Sequence, residues 1–287
     1  MTELLEKKYD ELKKLLRSYG NVAVAFSSGV DSTFLLYAAK EAFAEAHNVA
    51  ENIDSSVALA KNVIAVTISA DFVAEREKDE AGSFCKEHGI EHVICNASLS
   101  DIAHFSENPP DRCYYCKHHI FENILRIAAE HGIFAVAEGS NLDDNSDYRP
   151  GHKAIAELGI KSPLRECGFT KAEIREVSKH LGLPTWSKPS FACLASRIPY
   201  GNTITSKKLE MIDKAEDLLL SLGFTQFRVR HHDEIARIEL LPEDFPHFME
   251  EGVRMKVYDE FKAFGFRYVA LDIKGYRTGS LNEGLSK

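Results

Sequence analysis

The stretch Val22–Thr33 constrains the fold of this chain most, because it combines a strand, a tight turn and a helix start in succession. Five apolar residues, Val22 to Phe26, predict a buried parallel strand, and an apolar-rich helix is predicted over Thr33–Ala44. Between them lie Ser27, Ser28, Gly29, Val30, Asp31 and Ser32. Small side chains let the backbone approach a ligand closely, and the free N–H groups of a helix N-terminus favour an anion. The segment therefore predicts a phosphate-binding loop.

This loop differs from the two commonest nucleotide-binding motifs. It has no Gly-Lys-Ser/Thr of a Walker A loop and no Gly-x-Gly-x-x-Gly of a dinucleotide fold. The simpler alternative is an ordinary capped turn between a strand and a helix. The combination of small residues with an acidic residue at the helix start favours the nucleotide interpretation.

Strands alternate with helices through the first two thirds of the chain, which predicts an α/β fold with a doubly wound parallel sheet. The predicted strands are Val22–Phe26, Val63–Ile68, Glu91–Ile94 and Ile133–Ala137. Because ligands bind beyond the carboxyl ends of such strands, the loops that start at Ser27, Ser69 and Glu138 are expected to converge, bringing Gly139 with them. A surface turn is the alternative for the loop that starts at Glu138.

A long irregular stretch, Leu183–Asn202, predicts a domain boundary near Gly201. The expected domains are residues 1–200, which carry the phosphate loop, and residues 201–287, a smaller α+β domain of antiparallel type. In the second domain the pattern predicts helices over 206–222 and 245–264 and strands over 226–231, 235–240 and 266–271.

Charge and composition narrow the function classes. The net charge of −9 argues against a broad nucleic-acid surface, although a local basic groove stays compatible with it. The N-terminal residues lack the apolar core of a signal peptide, and no apolar run approaches the ~18 residues of a membrane span. The six cysteines are too sparse for a disulfide scaffold and indicate a reducing cytoplasm.

Three cysteines stand in segments that read as loops. Cys113 and Cys116 form a Cys-x-x-Cys pair before a helix predicted over Ile120–His131, and Cys193 lies in the long irregular stretch. Such thiols suit redox chemistry, a zinc site completed by His118 or His119, or an iron–sulfur cluster with one open iron. Small core residues are the alternative.

Two arginines, Arg228 and Arg230, alternate on a predicted strand, so both project from the same face. Paired guanidinium groups suit phosphate binding, and Arg197 near Cys193 adds to that interpretation. A solvent-facing strand is the simpler alternative. Glu216 on the preceding helix is a candidate cation ligand, with a solvated helix face as its alternative.

Taken together, these residues resemble the LarE family of ATP-dependent sulfur transferases, in the superfamily of PP-loop ATP pyrophosphatases, over nearly the whole chain. The matching motifs are Phe26-Ser-Ser-Gly-Val-Asp-Ser32, Arg112-Cys-Tyr-Tyr-Cys-Lys117, Asp147-Tyr-Arg-Pro-Gly151, Cys193-Leu-Ala-Ser-Arg-Ile-Pro-Tyr-Gly201 and Arg228-Val-Arg230. One departure is visible: Ser28 stands where the PP-loop has a glycine. If that position needs a positive φ, the Cβ costs roughly 1–2 kcal/mol.

The resemblance implies synthesis of the nickel-pincer nucleotide cofactor of lactate racemase. Family members adenylate a carboxylate of pyridinium-3,5-biscarboxylic acid mononucleotide, release pyrophosphate, form a thiocarboxylate and repeat the reaction on the second carboxylate. Some sacrifice the sulfur of one cysteine. Others are thought to use three cysteines that hold a 4Fe-4S cluster carrying an extra sulfide, and Cys113, Cys116 and Cys193 resemble that type.

The same resemblance implies site roles. Ser27–Ser32 hold the ATP phosphates, Asp31 helps to bind Mg²⁺, and Gly139 and its neighbours line the adenosine site. The residues expected on the phosphates of substrate or AMP are Ser196, Arg197, Arg228 and Arg230, and Glu216 is expected to bind a metal. A sulfur donor and a homo-oligomer are also implied.

Three other functions stay open at this point. A tRNA thiolase also pairs a PP-loop with Cys-x-x-Cys, but the acidic charge and the lack of a Lys/Arg-rich tract argue against it. A nucleotide-binding regulatory module would make the cysteines structural. An amide-forming synthetase would leave the three cysteines without a role.

Overall fold

The computed structural model describes residues 1–49, 62–146, 150–189 and 191–284, and the chain forms two compact units. The first unit comprises residues 1–70, 75–102 and 111–190, and the second comprises residues 71–74, 103–110 and 191–287. Residues 147–149 of the third family motif, Asp147-Tyr-Arg-Pro-Gly151, lie outside the described residues.

The first unit alternates strands and helices as its sequence pattern predicts. Its strands are β1 (Val22–Ala25), β2 (Val63–Ser69), β3 (Glu91–Asn96) and β4 (Val136–Ala137). Its helices are α1 (Glu3–Ser18), α2 (Val30–Val49), α3 (Glu75–His88), α4 (Arg112–Glu130), α5 (Gly151–Glu157), α6 (Pro163–Glu166) and α7 (Lys171–His180). Short 3₁₀ helices cover Leu99–Asp101, Leu142–Ser146 and Pro184–Ser187.

The four strands form one parallel sheet in the order β3-β2-β1-β4. Val22 lies opposite Val63 of β2, and Ala23 lies opposite Val136 of β4. Because β1 is central and parallel to both neighbours, the loops after β2, β1 and β4 leave from the same edge of the sheet. The predicted α/β parallel sheet is confirmed.

The two faces of β1 belong to two different hydrophobic clusters, since successive side chains of a strand point to opposite faces. Val22 and Val24 pack in a cluster with Phe34 of α2 and with buried residues of α1, α3 and α7. Ala23 packs in another cluster with Phe121 of α4. Helices therefore cover both faces of the sheet, as a doubly wound fold requires.

The second unit contains a three-stranded sheet and flanking helices. Its elements are α8 (Ser206–Ser221), β5 (Phe227–His232), β6 (Ile235–Leu240), α9 (Phe245–Met249), α10 (Glu251–Phe264) and β7 (Tyr268–Leu271), with 3₁₀ helices over Leu194–Arg197, Pro242–Asp244 and Ser280–Gly284. Strand β6 pairs antiparallel with β5 and parallel with β7. The expected antiparallel sheet is thus mixed, because the helices between β6 and β7 form a crossover that returns the chain in the same direction.

Two short segments from the first half of the chain fold with the second unit. Phe72 and Phe105 are buried with their rings 5.0 Å apart, and the Leu194 N–H donates to the Phe72 carbonyl at 3.0 Å. The Asn108 side chain donates to the carbonyls of Ile198 and Pro199. The predicted boundary near Gly201 therefore falls inside the second unit, whose C-terminal part begins at residue 191.

Two helix predictions differ from the structure. The helix predicted over Ile120–His131 begins at Arg112, so Cys113 and Cys116 lie in its first turn rather than in a loop. The single helix predicted over 245–264 is interrupted at Glu250, whose ψ of 133° is extended. Among the helices of the described residues, none is long and apolar enough to cross a membrane.

Candidate active site

The loop between β1 and α2 is ordered by hydrogen bonds among its own small residues. The Ser32 hydroxyl accepts from the Ser27 N–H at 3.3 Å and donates to the Gly29 carbonyl at 3.2 Å. The Thr33 N–H donates to the Gly29 carbonyl at 2.9 Å, which starts the hydrogen-bond ladder of α2. The hydroxyls of a tight turn thus order the segment from which the helix N-terminus projects.

Ser28 adopts a left-handed conformation with a φ of +52°. The positive φ expected at the glycine position of this loop is therefore present, and a side chain is accommodated there at a cost of roughly 1–2 kcal/mol. Its hydroxyl lies 3.1 Å from the Glu77 carbonyl oxygen, to which it donates, and Ser28 is buried. These contacts give the strained residue a fixed orientation.

Asp31, in the first turn of α2, makes an ion pair that the sequence did not reveal. The Lys171 Nζ lies 2.5 Å from Asp31 Oδ2, and the Asn141 amide donates to Asp31 Oδ1 at 3.4 Å. Burial raises the pKa of Asp31, while Lys171 and Asn141 act in the opposite direction. The carboxylate that is expected to help bind Mg²⁺ is therefore partnered by a lysine in this structure.

Lys171 was missed, although a signal for it exists. The capping box of Thr170 and Glu173 predicts the start of α7 correctly, and it puts Lys171 at the first position of that helix. A cation is unfavourable at this end of the helix dipole, and here it pairs with the Asp31 carboxylate.

A second lysine, Lys188, also contacts the loop. Its Nζ donates to the Ser28 carbonyl at 3.1 Å and forms an ion pair with Glu80 of α3. Lys188 is the one lysine in the sequence stretch Leu183–Asn202, which is predicted as irregular, so no periodicity indicates where its side chain lies. Sequence reasoning had no means of finding it.

Gly139 follows β4 and packs directly against the start of α2. A Cβ at this position would lie 3.1 Å from the Ser32 backbone nitrogen and 3.2 Å from Asp31 Cβ. The convergence predicted for the loops after β1 and β4 is therefore observed, and it depends on the missing side chain. Ser69, at the end of neighbouring β2, accepts from the Ala97 N–H at 3.0 Å.

Beside Gly139, the buried Glu138 carboxylate is held by two serines. The Ser140 hydroxyl donates to one carboxylate oxygen at 2.7 Å, and the Ser162 hydroxyl donates to the other at 2.6 Å. Because both oxygens are satisfied, the loop after β4 is an ordered part of the sheet edge. The alternative of a simple surface turn does not describe it.

Cys113 and Cys116 are separated by three positions in the first turn of α4, so both thiols lie near one face of the helix. Cys113 is exposed and Cys116 is half-buried. Gly151 packs close to this turn, because a Cβ there would lie 2.6 Å from Lys117 Cδ and 3.3 Å from the Cys113 carbonyl. The motif that ends at Gly151 thus borders the cysteine pair.

Cys193 belongs to the second unit and is exposed. It precedes the 3₁₀ helix Leu194–Arg197, and its carbonyl accepts from the Ser196 N–H at 2.9 Å and from Arg197 Nη1 at 3.2 Å. All six cysteines lie within the described residues, and none of them forms a disulfide bond there. Among the described residues, no group of three or more His, Cys, Asp or Glu side chains is arranged to hold a metal ion.

Arg197 and Glu216 form a fully buried bidentate ion pair. The Arg197 Nε donates to Glu216 Oε1 at 2.9 Å, its Nη2 donates to Oε2 at 2.8 Å, and the Val229 N–H also donates to Oε1. Burial raises the pKa of Glu216, but Arg197, Arg228 and the Val229 N–H together outweigh it, and the pKa is lowered. The alternative of a solvated face is wrong for Glu216, and its expected metal role stays a prediction.

Arg228 and Arg230 are both buried, so the alternative of a solvent-facing strand is also wrong. The Arg228 guanidinium stacks between Phe191 and Tyr276, at 5.5 and 5.2 Å from their ring centroids. Burial, followed by the charge of Arg197, lowers the pKa of Arg228 to about 10. A guanidinium held this way is poorly solvated and favours an anionic partner.

Arg230 borders a cavity of about 90 Å³ in the second unit. Its Nη1 donates to the Ser196 carbonyl at 2.9 Å and its Nη2 donates to Glu239 at 2.9 Å, while its buried Nε has no hydrogen-bond partner among the described residues. The cavity is lined by Arg197, Pro199, Arg230, His232, Arg237, Ser280 and Leu281. Two residues that the sequence analysis did not single out, His232 and Arg237, therefore line the same cavity as Arg197 and Arg230.

The chain is similar to known proteins over nearly its whole length. No family model matches it. It is 36% identical over 283 residues to the pyridinium-3,5-bisthiocarboxylic acid mononucleotide synthase of Lactiplantibacillus plantarum, which covers 99% of this chain and 96% of that protein. It is also 36% identical over 284 residues to an uncharacterized protein of Synechocystis, which covers 99% and 100%. Among solved structures, an NH₃-dependent NAD synthetase from Campylobacter jejuni has a TM-score of 0.44 and 16% identity, covering 92% of this chain and 94% of that one.

Proposed function

The chain belongs to the family of the pyridinium-3,5-bisthiocarboxylic acid mononucleotide synthase of Lactiplantibacillus plantarum, and on that basis we propose that it is an ATP-dependent sulfur transferase of nickel-pincer nucleotide biosynthesis. Its substrate is pyridinium-3,5-biscarboxylic acid mononucleotide, and its products are thiocarboxylates. The observation that carries the proposal is the ordered small-residue loop between β1 and α2, against which Gly139 packs so closely that a Cβ there would lie 3.1 Å from the Ser32 nitrogen.

The first step activates a carboxylate. A carboxylate oxygen of the substrate attacks the α-phosphorus of ATP, the bond to the bridging oxygen breaks, and pyrophosphate leaves. The N–H groups at the start of α2 and the Ser27–Ser32 loop are proposed to hold the phosphates. Gly139 and its neighbours are proposed to line the adenosine site.

The second step replaces AMP by sulfur. A sulfide nucleophile attacks the carbonyl carbon of the acyl adenylate, AMP leaves with the electrons of the carbon–oxygen bond, and a thiocarboxylate remains. A second round, with a second ATP and a second sulfide, converts the other carboxylate. The need for a sulfur donor and a homo-oligomeric state are parts of the proposal that come from the family resemblance, and the cytoplasmic location is a part that comes from the cysteine content.

Cys113, Cys116 and Cys193 are proposed to hold a 4Fe-4S cluster. The chemistry of the donors fits, because none of the three is in a disulfide, two are exposed and one is half-buried, and thiolates are the usual ligands of such clusters. When bound, the cluster would present sulfide on its open iron. Zinc and a sacrificial Cys193 are the alternatives, and the experiments below separate them.

Asp31 is proposed to help bind the Mg²⁺ that accompanies ATP, since carboxylates together with phosphate oxygens are the ligands that Mg²⁺ prefers. Its present partner is Lys171, so this role requires that the carboxylate be shared or released when the nucleotide arrives. Glu216 is also proposed as a metal ligand. Both its carboxylate oxygens already accept hydrogen bonds from Arg197, so this role requires Arg197 to give up at least one of them.

The phosphates of substrate or AMP are proposed to meet Ser196, Arg197, Arg228 and Arg230. Support comes from the unpartnered Nε of Arg230 and from the cavity beside it. Buried guanidinium groups bind phosphate strongly because the site holds little competing water.

The test is a reaction of the full-length protein with ATP, Mg²⁺, the biscarboxylate mononucleotide and sulfide under anaerobic conditions. We expect pyrophosphate release that depends on the mononucleotide, together with a product whose mass shows oxygen replaced by sulfur. Tight ATP binding without pyrophosphate release would contradict the proposal and favour a regulatory nucleotide-binding module. An amide product with ammonia in place of sulfide would favour a synthetase.

A further inference from the structure

Lys188 occupies a position beside the phosphate loop that the proposed mechanism does not yet use. Its Nζ donates to the Ser28 carbonyl at 3.1 Å, lies 3.4 Å from the Ser28 hydroxyl and is paired with the Glu80 carboxylate. The Lys188 side chain is 19% exposed, whereas the Glu80 side chain is 49% exposed. A cation and a carboxylate therefore flank the second residue of the loop.

The backbone around Lys188 is fixed to the first unit, so the lysine is presented to the loop by a rigid support. Arg175 of α7 donates to the Trp186 carbonyl at 2.6 Å and to the Lys188 carbonyl at 2.7 Å. The Lys188 N–H donates to the Thr185 carbonyl at 3.0 Å. Only the flexible side chain is left to change its partner.

The Glu80 carboxylate is poorly suited to the neighbourhood of a phosphate-binding loop. A negative charge close to Ser28 repels a polyphosphate, and this repulsion is strong where solvent screening is reduced. A lysine ammonium has three donors on a flexible stem, so it can keep the Ser28 carbonyl while exchanging one acceptor for another. A polyphosphate offers it more charge than one half-exposed carboxylate.

We propose that Lys188 is a binding residue for the terminal phosphates of the nucleotide, and that Glu80 holds it while the loop is empty. Nucleotide binding then exchanges the Glu80 carboxylate for a phosphate oxygen on Lys188 Nζ. This inference rests on the ATP site of the proposed function and adds a competitor that is built into the protein.

The order of the sheet indicates which phosphates Lys188 meets. Glu80 lies on α3, which follows β2, whereas Gly139 follows β4, and β1 separates these strands. With adenosine on the Gly139 side of the loop, the far end of the phosphate chain lies on the Glu80 side. Substitution of Lys188 should therefore change the affinity for pyrophosphate most and the affinity for AMP least.

The test is calorimetric titration of the full-length protein with pyrophosphate, ATP and AMP. For Lys188→Met we expect the dissociation constants of pyrophosphate and ATP to rise by about tenfold or more, with that of AMP changed by less than about twofold. For Glu80→Gln we expect tighter pyrophosphate binding, by about twofold to fivefold, because the competitor is neutralised. Lys7→Met, which removes an exposed lysine paired with Glu3, is the charge-matched control and should change nothing.

The opposite signs of the two effects distinguish a phosphate ligand from a structural brace. If Lys188 only braces the loop, Glu80→Gln should weaken pyrophosphate binding along with Lys188→Met, and the inference is then wrong. It is also wrong if Lys188→Met binds pyrophosphate as the unaltered protein does. A gain in Glu80→Gln cannot come from misfolding. If the unaltered protein binds neither ATP nor pyrophosphate, the proposed function itself fails.

Discussion

At the scale of single residues, the buried pair of Arg197 and Glu216 makes the chain sensitive to acid. Arg197 keeps the native pKa of Glu216 below its ordinary value of 4.5 despite burial. The ionised carboxylate therefore stabilises the fold fully above that value, and this contribution is lost as the pH falls through the lower native pKa. We expect the urea midpoint to fall more steeply below about pH 4.5 in the unaltered protein than in Glu216→Gln.

At neutral pH, Glu216→Gln leaves the Arg197 cation buried without its counter-ion. We expect it to lower the free energy of unfolding by about 3–5 kcal/mol, measured by urea denaturation. Glu210→Gln is the matched control on the same helix, because Glu210 pairs with Lys214 at an exposed site, and we expect it to leave the free energy of unfolding nearly unchanged. Similar values for the two variants would mean that the buried pair contributes nothing special.

For the three cysteines proposed to hold the cluster, we predict an effect on catalytic turnover rather than on stability. Cys113→Ala, Cys116→Ala and Cys193→Ala should each abolish multiple-turnover formation of thiocarboxylate while ATP binding is retained. Cys167→Ala is the control, since Cys167 is a half-buried thiol packed against the core of the first unit. Retained turnover in any of the three variants would remove that residue from the mechanism.

At the scale of secondary-structure elements, the contact between the loop after β4 and the start of α2 is the most constrained. In Gly139→Ala the new methyl group would lie 3.1 Å from the Ser32 nitrogen, so one element must shift. We expect a loss of about 1–3 kcal/mol in unfolding free energy and weaker ATP binding by about tenfold, measured by denaturation and calorimetry.

Gly82→Ala is the matched control for that experiment. Gly82 lies within α3, and a Cβ there would lie 3.8 Å from His92 Nδ1, an ordinary contact. Because alanine is favoured over glycine inside a helix, we expect it to raise stability by about 0.5–1 kcal/mol and to leave ATP binding unchanged. Equal losses in the two variants would contradict the close-packing argument.

The elements also show what could be read from the sequence. Apolar runs and glycine stops predicted β1, β2, β6 and the parallel sheet, and the capping box of Thr170 and Glu173 predicted the start of α7. The start of α4 was missed because Pro109-Pro110 indicated an irregular segment, although Asp111 is of a residue type that favours the N-cap position. Lys171 and Lys188 were missed because their partners, Asp31 and Ser28, lie 140 and 160 residues away.

At the scale of the whole molecule, the proposed cluster is tested on the full-length protein. Protein purified without oxygen should show broad absorption near about 400 nm, with iron and sulfide, and Cys113→Ala should lose both. Iron-free protein after reconstitution would contradict the cluster. Metal analysis would then decide for zinc, and a loss of the mass of H₂S from Cys193 after turnover would indicate a sacrificial cysteine.

Net charge gives a second prediction at this scale. With a net charge of −9 the chain should not retard tRNA in an electrophoretic shift assay, even at low salt, where phosphate contacts are strongest. A shift at low protein concentration that disappears as salt is added would revive the tRNA thiolase. Bovine serum albumin, another acidic protein, serves as the control.

The second unit draws Phe72, Phe105 and Asn108 from the first half of the chain, and this limits how the protein can be inherited or engineered. A gene fragment that encodes only residues 191–287 would lack the ring pair of Phe72 and Phe105 and the carbonyl acceptor of the Leu194 N–H. It would also lack the Asn108 side-chain amide, which donates hydrogen bonds to the carbonyls of Ile198 and Pro199. The second unit is therefore not encoded by one contiguous gene segment that recombination could transfer to another gene. The unit is built from three separate chain segments, so its exchange between proteins demands five junctions rather than one, and the two units of this enzyme are expected to evolve together.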